Sequence, residues 1–216
     1  MTTYLQAVND VLVRLREEEV STVNENAYSK LIGKLINDAK RSVEDAHTWN
    51  ALGNTLSAVT TANVFNYVLV GAGQRFKVLN VFDDGADAFL TQRESNWMAQ
   101  NLLKNTVLKG RPSYFNFNGV DANGDTQVDL YPVPDDVYTI RFNLYIPQDT
   151  LSSDSAVIAV PSEPVILGAY ARAIAERGED TGLSSADAYG LYRSSLSDAI
   201  AIDNGHFVDN EIWISV

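Results

Sequence analysis

Four oxygen-bearing side chains, Asp121, Asn123, Asp125 and Asp129, stand close enough together to suggest the ligand spacing of a calcium loop. The pattern fails at two places. Its glycine, Gly124, comes two positions early, and Pro132 occupies the place of the closing glutamate. Asn123-Gly124 between one run ending near Val120 and another starting near Thr126 instead predicts a hairpin turn. Asp180-Thr181-Gly182 matches the triplet of aspartic proteases, but it has no second copy and no apolar strand before it, so it reads as a helix–helix loop. His47 and His206 each fall at the end of a predicted helix, with no nucleophile or third ligand in sequence reach. No nucleophile elbow, paired-histidine zinc motif or phosphate loop is present, and Gly71-Ala72-Gly73 is too short for a dinucleotide fingerprint. The expectation is no catalytic residue, no cofactor and no metal site.

Composition points the same way. The chain has 216 residues and no cysteine, which removes disulfides, thiolate nucleophiles and zinc–thiolate chemistry. Its 28 acidic and 16 basic residues leave a net charge of −12, and the cations are not clustered, so a phosphate backbone should be repelled. The imbalance is steepest at the end: residues 162–216 carry 9 acidic and 3 basic side chains. No window is long and apolar enough to span a bilayer, and Met1-Thr2-Thr3-Tyr4 lacks a signal-peptide layout, so a soluble, unexported product without a membrane role is expected.

The periodicity changes twice along the chain. Leu5, Val8, Leu12 and Leu15 have helical spacing, with Thr3 and Gln6 placed as a capping box. After a break at Val20-Ser21-Thr22-Val23, a second stripe runs through Tyr28, Leu31, Leu35, Ala39, Val43 and Ala46, with Thr22 and Glu25 as its expected cap. From about Leu56 the period becomes two. Strands are predicted over 64–70, 75–82, 113–119 and 126–131, and the clearest alternates Tyr138, Ile140, Phe142, Leu144 and Ile146 with polar neighbours. A short helix through Trp97, Met98 and Leu102, capped by Thr91 and Glu94, interrupts them. At Val160-Pro161-Ser162-Glu163-Pro164 helical signals return, with serine as the expected cap; that helix stops at Gly178, and another runs from Ser184 or Ser185 to Asn204-Gly205.

Each terminal helix pair is too small to be stable alone, and packing pair on pair solves this. The predicted fold class is therefore α+β: a bundle of N- and C-terminal helices, residues 1–52 and 162–205, carrying an inserted antiparallel β-rich domain over 53–161 as a small sheet, sandwich or barrel. Trp49, at the junction, reads as core. Residues 206–216 form a closing strand or a docking tail. The tail's apolar residues Val208, Ile212, Trp213, Ile214 and Val216 are the candidate interface with a neighbouring subunit or another protein, since a terminus is normally polar.

Ala7-Val8-Asn9-Asp10-Val11-Leu12, then Val20-Ser21-Thr22-Val23, then a long helix reaching Thr48-Trp49-Asn50, resembles the head-to-tail adaptors of short-tailed bacteriophages, also called tail tubular protein A or connector gatekeepers. Arg16-Glu17-Glu18-Glu19 departs from the Gly-Glu-Pro type of turn usual there. The resemblance implies a structural, non-enzymatic protein in the neck of the virion, made in the host cytoplasm. It implies a ring of copies of itself, commonly dodecameric, between a portal protein ring and a tail nozzle protein. DNA would pass through without specific binding, and the acidic helices of 162–216 would face the channel. Two other readings compete: a receptor- or carbohydrate-binding tail module, suggested by the aromatic β-rich insert, and a hydrolase using scattered carboxylates.

Overall fold

In a computed structural model, which describes residues 1–178 and 184–206, Thr3 opens helix α1 (Tyr4–Arg14) as its spacing predicts. Its Oγ1 accepts the Gln6 N–H at 3.3 Å, and Gln6 Oε1 accepts the Thr3 N–H at 2.9 Å. The next two N–H groups, of Tyr4 and Leu5, donate to the carbonyls of Ala156 and Asp154, so a distant segment satisfies donors that a helix start leaves open. Helix α2 (Ala27–Ala46) begins one turn later than Thr22 and Glu25 suggest. Asn26 is the cap: its Oδ1 accepts the Ser29 N–H at 2.8 Å, and Ser29 Oγ accepts the Asn26 N–H. Glu25 serves the turn before it, accepting the Ser21 N–H. Asn26→Ala is expected to cost about 1 kcal/mol in a urea titration followed by helical circular dichroism, with Asn26→Asp close to wild type.

The chain divides into two compact units, one built from the segments before Gly53 and after Pro147, the other from Gly53–Pro147. The helical unit closes with α4 (Ser162–Arg177) and α5 (Ser185–Asn204). Ser162 is the first helical residue rather than the cap, which is Pro161; the Ser162 hydroxyl instead accepts a hydrogen bond from Thr2. Gly178 ends α4 in the left-handed conformation, φ 66°, where a side chain would be strained. Ser184 caps α5 by accepting the Asp187 N–H at 3.1 Å.

Helix α4 is the centre of this unit rather than one member of a symmetric pair. Val165, Ile166, Ala169, Ala171 and Ile174 are all buried, on more than one face, against α1, α2 and α5. At Gly168 the Tyr192 ring of α5 and Ala39 of α2 come so close that an added Cβ would stand 3.1 and 3.3 Å from them.

The segment following Pro147 belongs to the helical unit, so the boundary lies at 147/148 rather than at 161. Leu151, Ile158 and Val160 are buried in the helical core. Asn37 of α2 clamps Leu151 from both sides, donating to its carbonyl at 3.1 Å and accepting its N–H at 2.8 Å. Polar, loop-like composition hides a stretch whose few apolar residues find partners only in three dimensions.

The β-rich unit is a two-sheet sandwich and not a barrel. One sheet has the order β1 (Gly53–Val59), β8 (Thr139–Tyr145), β3 (Lys77–Asp83), β4 (Ala88–Phe89). The other has β2 (Asn66–Val68), β7 (Thr126–Tyr131), β6 (Tyr114–Val120), β5 (Thr91–Gln92). All pairs are antiparallel except β5–β6. Both sheets feed one core: Val81, Ile140, Phe142 and Leu144 from the first meet Leu69, Phe115, Val128 and Leu130. Helix α3 (Ser95–Leu102) covers part of the second sheet's outer face, where Trp97 meets the rings of Tyr114 and Tyr131 edge-on. Its cap position is Glu94, without a side-chain bond, and Thr91 lies in β5 instead of capping it.

Candidate functional site

Helix α5 is the element whose burial does not match its composition. It is twenty residues long, yet only Ala188 and Tyr192 are fully buried. Tyr189, Leu191 and Ile202 are large, apolar and at least half exposed. Asp187, Leu191, Asp198 and Ile202 fall on one flank by helical spacing, so an exposed apolar strip carries two carboxylates. Beside it runs a strip of small exposed residues, Ala186, Gly190, Ser194, Ser197 and Ala201. A helix that is apolar beyond the face it packs has a second face to cover.

Where α5 ends, Pro161, Pro164, Ala199, Ile202 and His206 line a mainly apolar groove of about 390 Å³ whose carboxylates are Glu163, Asp198 and Asp203. His47 Nε2 lies 3.2 Å from Asp203 Oδ2, and His206 Nδ1 lies 3.7 Å from Asp203 Oδ1. Asp203 Oδ2 also accepts the Asn50 N–H at 3.1 Å, so one carboxylate ties the end of α5 to the end of α2. Both histidines thus stand at helix ends, as their positions in the sequence imply. Trp49 is core, 1% exposed, with its indole N–H donating to the Val43 carbonyl at 2.6 Å.

The carboxylates that suggested chemistry are engaged in shaping turns and sheet. Asp121 Oδ1 accepts the N–H groups of Asn123 and Asp125, each at 2.9 Å, and the Asp125 N–H above all holds its carboxyl below the usual range. Asp125 Oδ1 accepts the N–H groups of Gly71 and Gly73 from the neighbouring loop. Asp129 lies apart, in β7 on the outer face of its sheet. Asn123-Gly124 forms the turn between β6 and β7. Among the described residues no group of three or more histidines and carboxylates is placed to hold a metal ion. Asp180-Thr181-Gly182 and the tail residues Val208, Ile212, Trp213, Ile214 and Val216 lie outside the described residues.

Periodicity alone does not separate the exposed strip of α5, because Leu191 stands at helical spacing from the buried Ala188 and adjoins the buried Tyr192. Leu191 in fact sits on the opposite flank from Tyr189, and only the packing against α4 separates them. Among the described residues no helix is long and apolar enough to cross a membrane.

A family model described as SU10 adaptor protein matches residues 2–208, nearly the whole chain. No curated protein matches it.

Proposed function

The chain belongs to the SU10 adaptor protein family, structural adaptors of the bacteriophage virion, and from that premise we propose that it forms a ring under the portal, joins that ring to the tail nozzle, and lines the channel through which DNA leaves. The observation that carries this reading is the uncovered face of α5. Copies arranged side by side would bury Leu191 and Ile202, and the small residues from Ala186 to Ala201 would let a neighbouring helix approach closely. The role is mechanical and needs no catalytic group.

Charge supports the channel assignment. With an acidic excess concentrated in 162–216, a lumen faced by exposed carboxylates of this segment would repel the phosphate backbone, so DNA could slide without sticking. The apolar tail residues Val208, Ile212, Trp213, Ile214 and Val216 are assigned to contact with the portal or a neighbouring subunit.

Mixing the purified chain with its portal ring and viewing the product by electron microscopy is expected to show a second ring stacked on the first. Leu191→Asp combined with Ile202→Asp should abolish stacking while the helical circular dichroism and melting curve stay near wild type, because both residues are exposed. Truncation before Ile212 should weaken stacking with the fold retained. A stacked ring that forms undiminished with both substitutions would remove α5 from the interface.

A further inference from the structure

We propose that the β-rich unit carries a binding site for a neutral saccharide, in the cleft between α3 and the outer face of the β2–β7–β6–β5 sheet. The cleft measures about 360 Å³, within the range of small-ligand sites. Its floor is Asn116 and Asn118 of β6 with Asp129 of β7, and strand register sets Asn66 of β2 and Asn116 both opposite Asp129. Asn66 Nδ2 donates to Asp129 Oδ1 at 2.7 Å, and Asn118 Nδ2 donates to Asp129 Oδ2 at 2.9 Å. Asn116 Nδ2 donates to Ser95 Oγ at 3.0 Å and to the Phe117 carbonyl at 3.1 Å.

Asp129 is what makes this floor unusual. Its residue is 5% exposed, and among the described residues its carboxylate makes no ion pair with a lysine or arginine, only the two amide bonds. A nearly buried carboxylate held by neutral amides is costly to maintain, and each of its oxygens keeps a further lone-pair position. Those positions accept hydroxyl donors. The Oδ1 of Asn116 and the Ser95 hydroxyl offer further bonds to the same ligand.

The walls are different in kind. Phe65 stands exposed in one wall, and Ala99 and Leu102 of α3, with Leu103 just after it, line another. A ligand with hydroxyls along one edge and an apolar C–H face, as in a pyranose ring, matches both surfaces. A hard cation does not, because the described residues place no set of three carboxylate or histidine ligands together. The site stands on the geometry of the β-rich unit and is independent of the ring reading.

The test is titration of the isotope-labelled full chain with D-glucose, D-galactose, L-rhamnose and N-acetyl-D-glucosamine, observing the side-chain amide signals of Asn66, Asn116 and Asn118. At least one sugar is expected to shift these signals saturably. Asp129→Asn should weaken that binding by about tenfold or more, the scale of a lost charge-assisted hydrogen bond. Because Asp129 also braces the sheet, two substitutions at exposed wall positions give the decisive comparison: Phe65→Ala should weaken binding similarly, and Ala99→Trp should block it. No saturable shift with any of the four sugars would overturn the proposal. So would shifts that persist unchanged in Phe65→Ala and Ala99→Trp, or saturation of the same signals by calcium chloride alone.

Discussion

Lys40→Met is expected to destabilise the helical unit by about 3–5 kcal/mol, the cost of leaving a buried charge without its partner. Lys40 and Glu44 are 2% and 3% exposed and form an ion pair of 3.0 Å across one turn of α2. The ammonium's other donors go to the carbonyls of Gln148 at 2.7 Å and Asp149 at 2.9 Å, so all three are used. Glu44 Oε1 in turn accepts the Gln148 N–H at 3.2 Å. Removing the lysine therefore takes the ammonium from a buried carboxylate and releases the point where the chain re-enters the helical unit. The double variant Lys40→Met with Glu44→Leu should recover a substantial part of the loss, since an apolar pair of similar volume avoids the desolvation cost. Urea titrations of the three variants by helical circular dichroism measure this. A double variant no more stable than Lys40→Met would show that the bonds to Gln148 and Asp149 outweigh the pairing.

Phe142→Ala is the corresponding expectation for the β-rich unit, again about 3–5 kcal/mol. Phe142 is fully buried in β8, the strand that pairs on both sides, with β1 and β3. Its ring lies 6.1 Å from that of Phe115, edge to face, and so joins one sheet to the other. Truncation removes the aromatic pair and leaves a cavity where both sheets converge. Hydrogen exchange read by mass spectrometry should show faster exchange in peptides from 53–147, centred on β8. Arg141, next in sequence but exposed and bonded to Asp84, should tolerate Ala with little change.

Much of this architecture is legible in the residues. The alternation from Tyr138 to Ile146 states which side of β8 faces inward, because a period of two leaves no other register once one face is apolar. Thr3 with Gln6, Gly178 and Ser184 mark helix ends through local bonds that need no distant partner. Helix α2 is capped at Asn26 and not at Thr22 because the turn between them is held by other bonds: the Val23 N–H donates to Asp154 Oδ1 at 3.1 Å, and Ser29 Oγ donates to the Val23 carbonyl at 2.9 Å.

By itself, then, the sequence determined the class of protein: an acidic, cysteine-free chain with helices at both ends and a β-rich middle. It also carried enough of the adaptor pattern near its start for the family to be recognised. Only the tertiary structure decided that α4 is the buried centre, that 148–160 belongs with the helices, and that α5 keeps an uncovered apolar flank. It alone set Asn66, Asp129 and Asn116 in one row. The reason is the same in each case. Periodicity reports how one element divides its own faces, whereas burial of a face, or the meeting of residues far apart in the chain, depends on what else packs there.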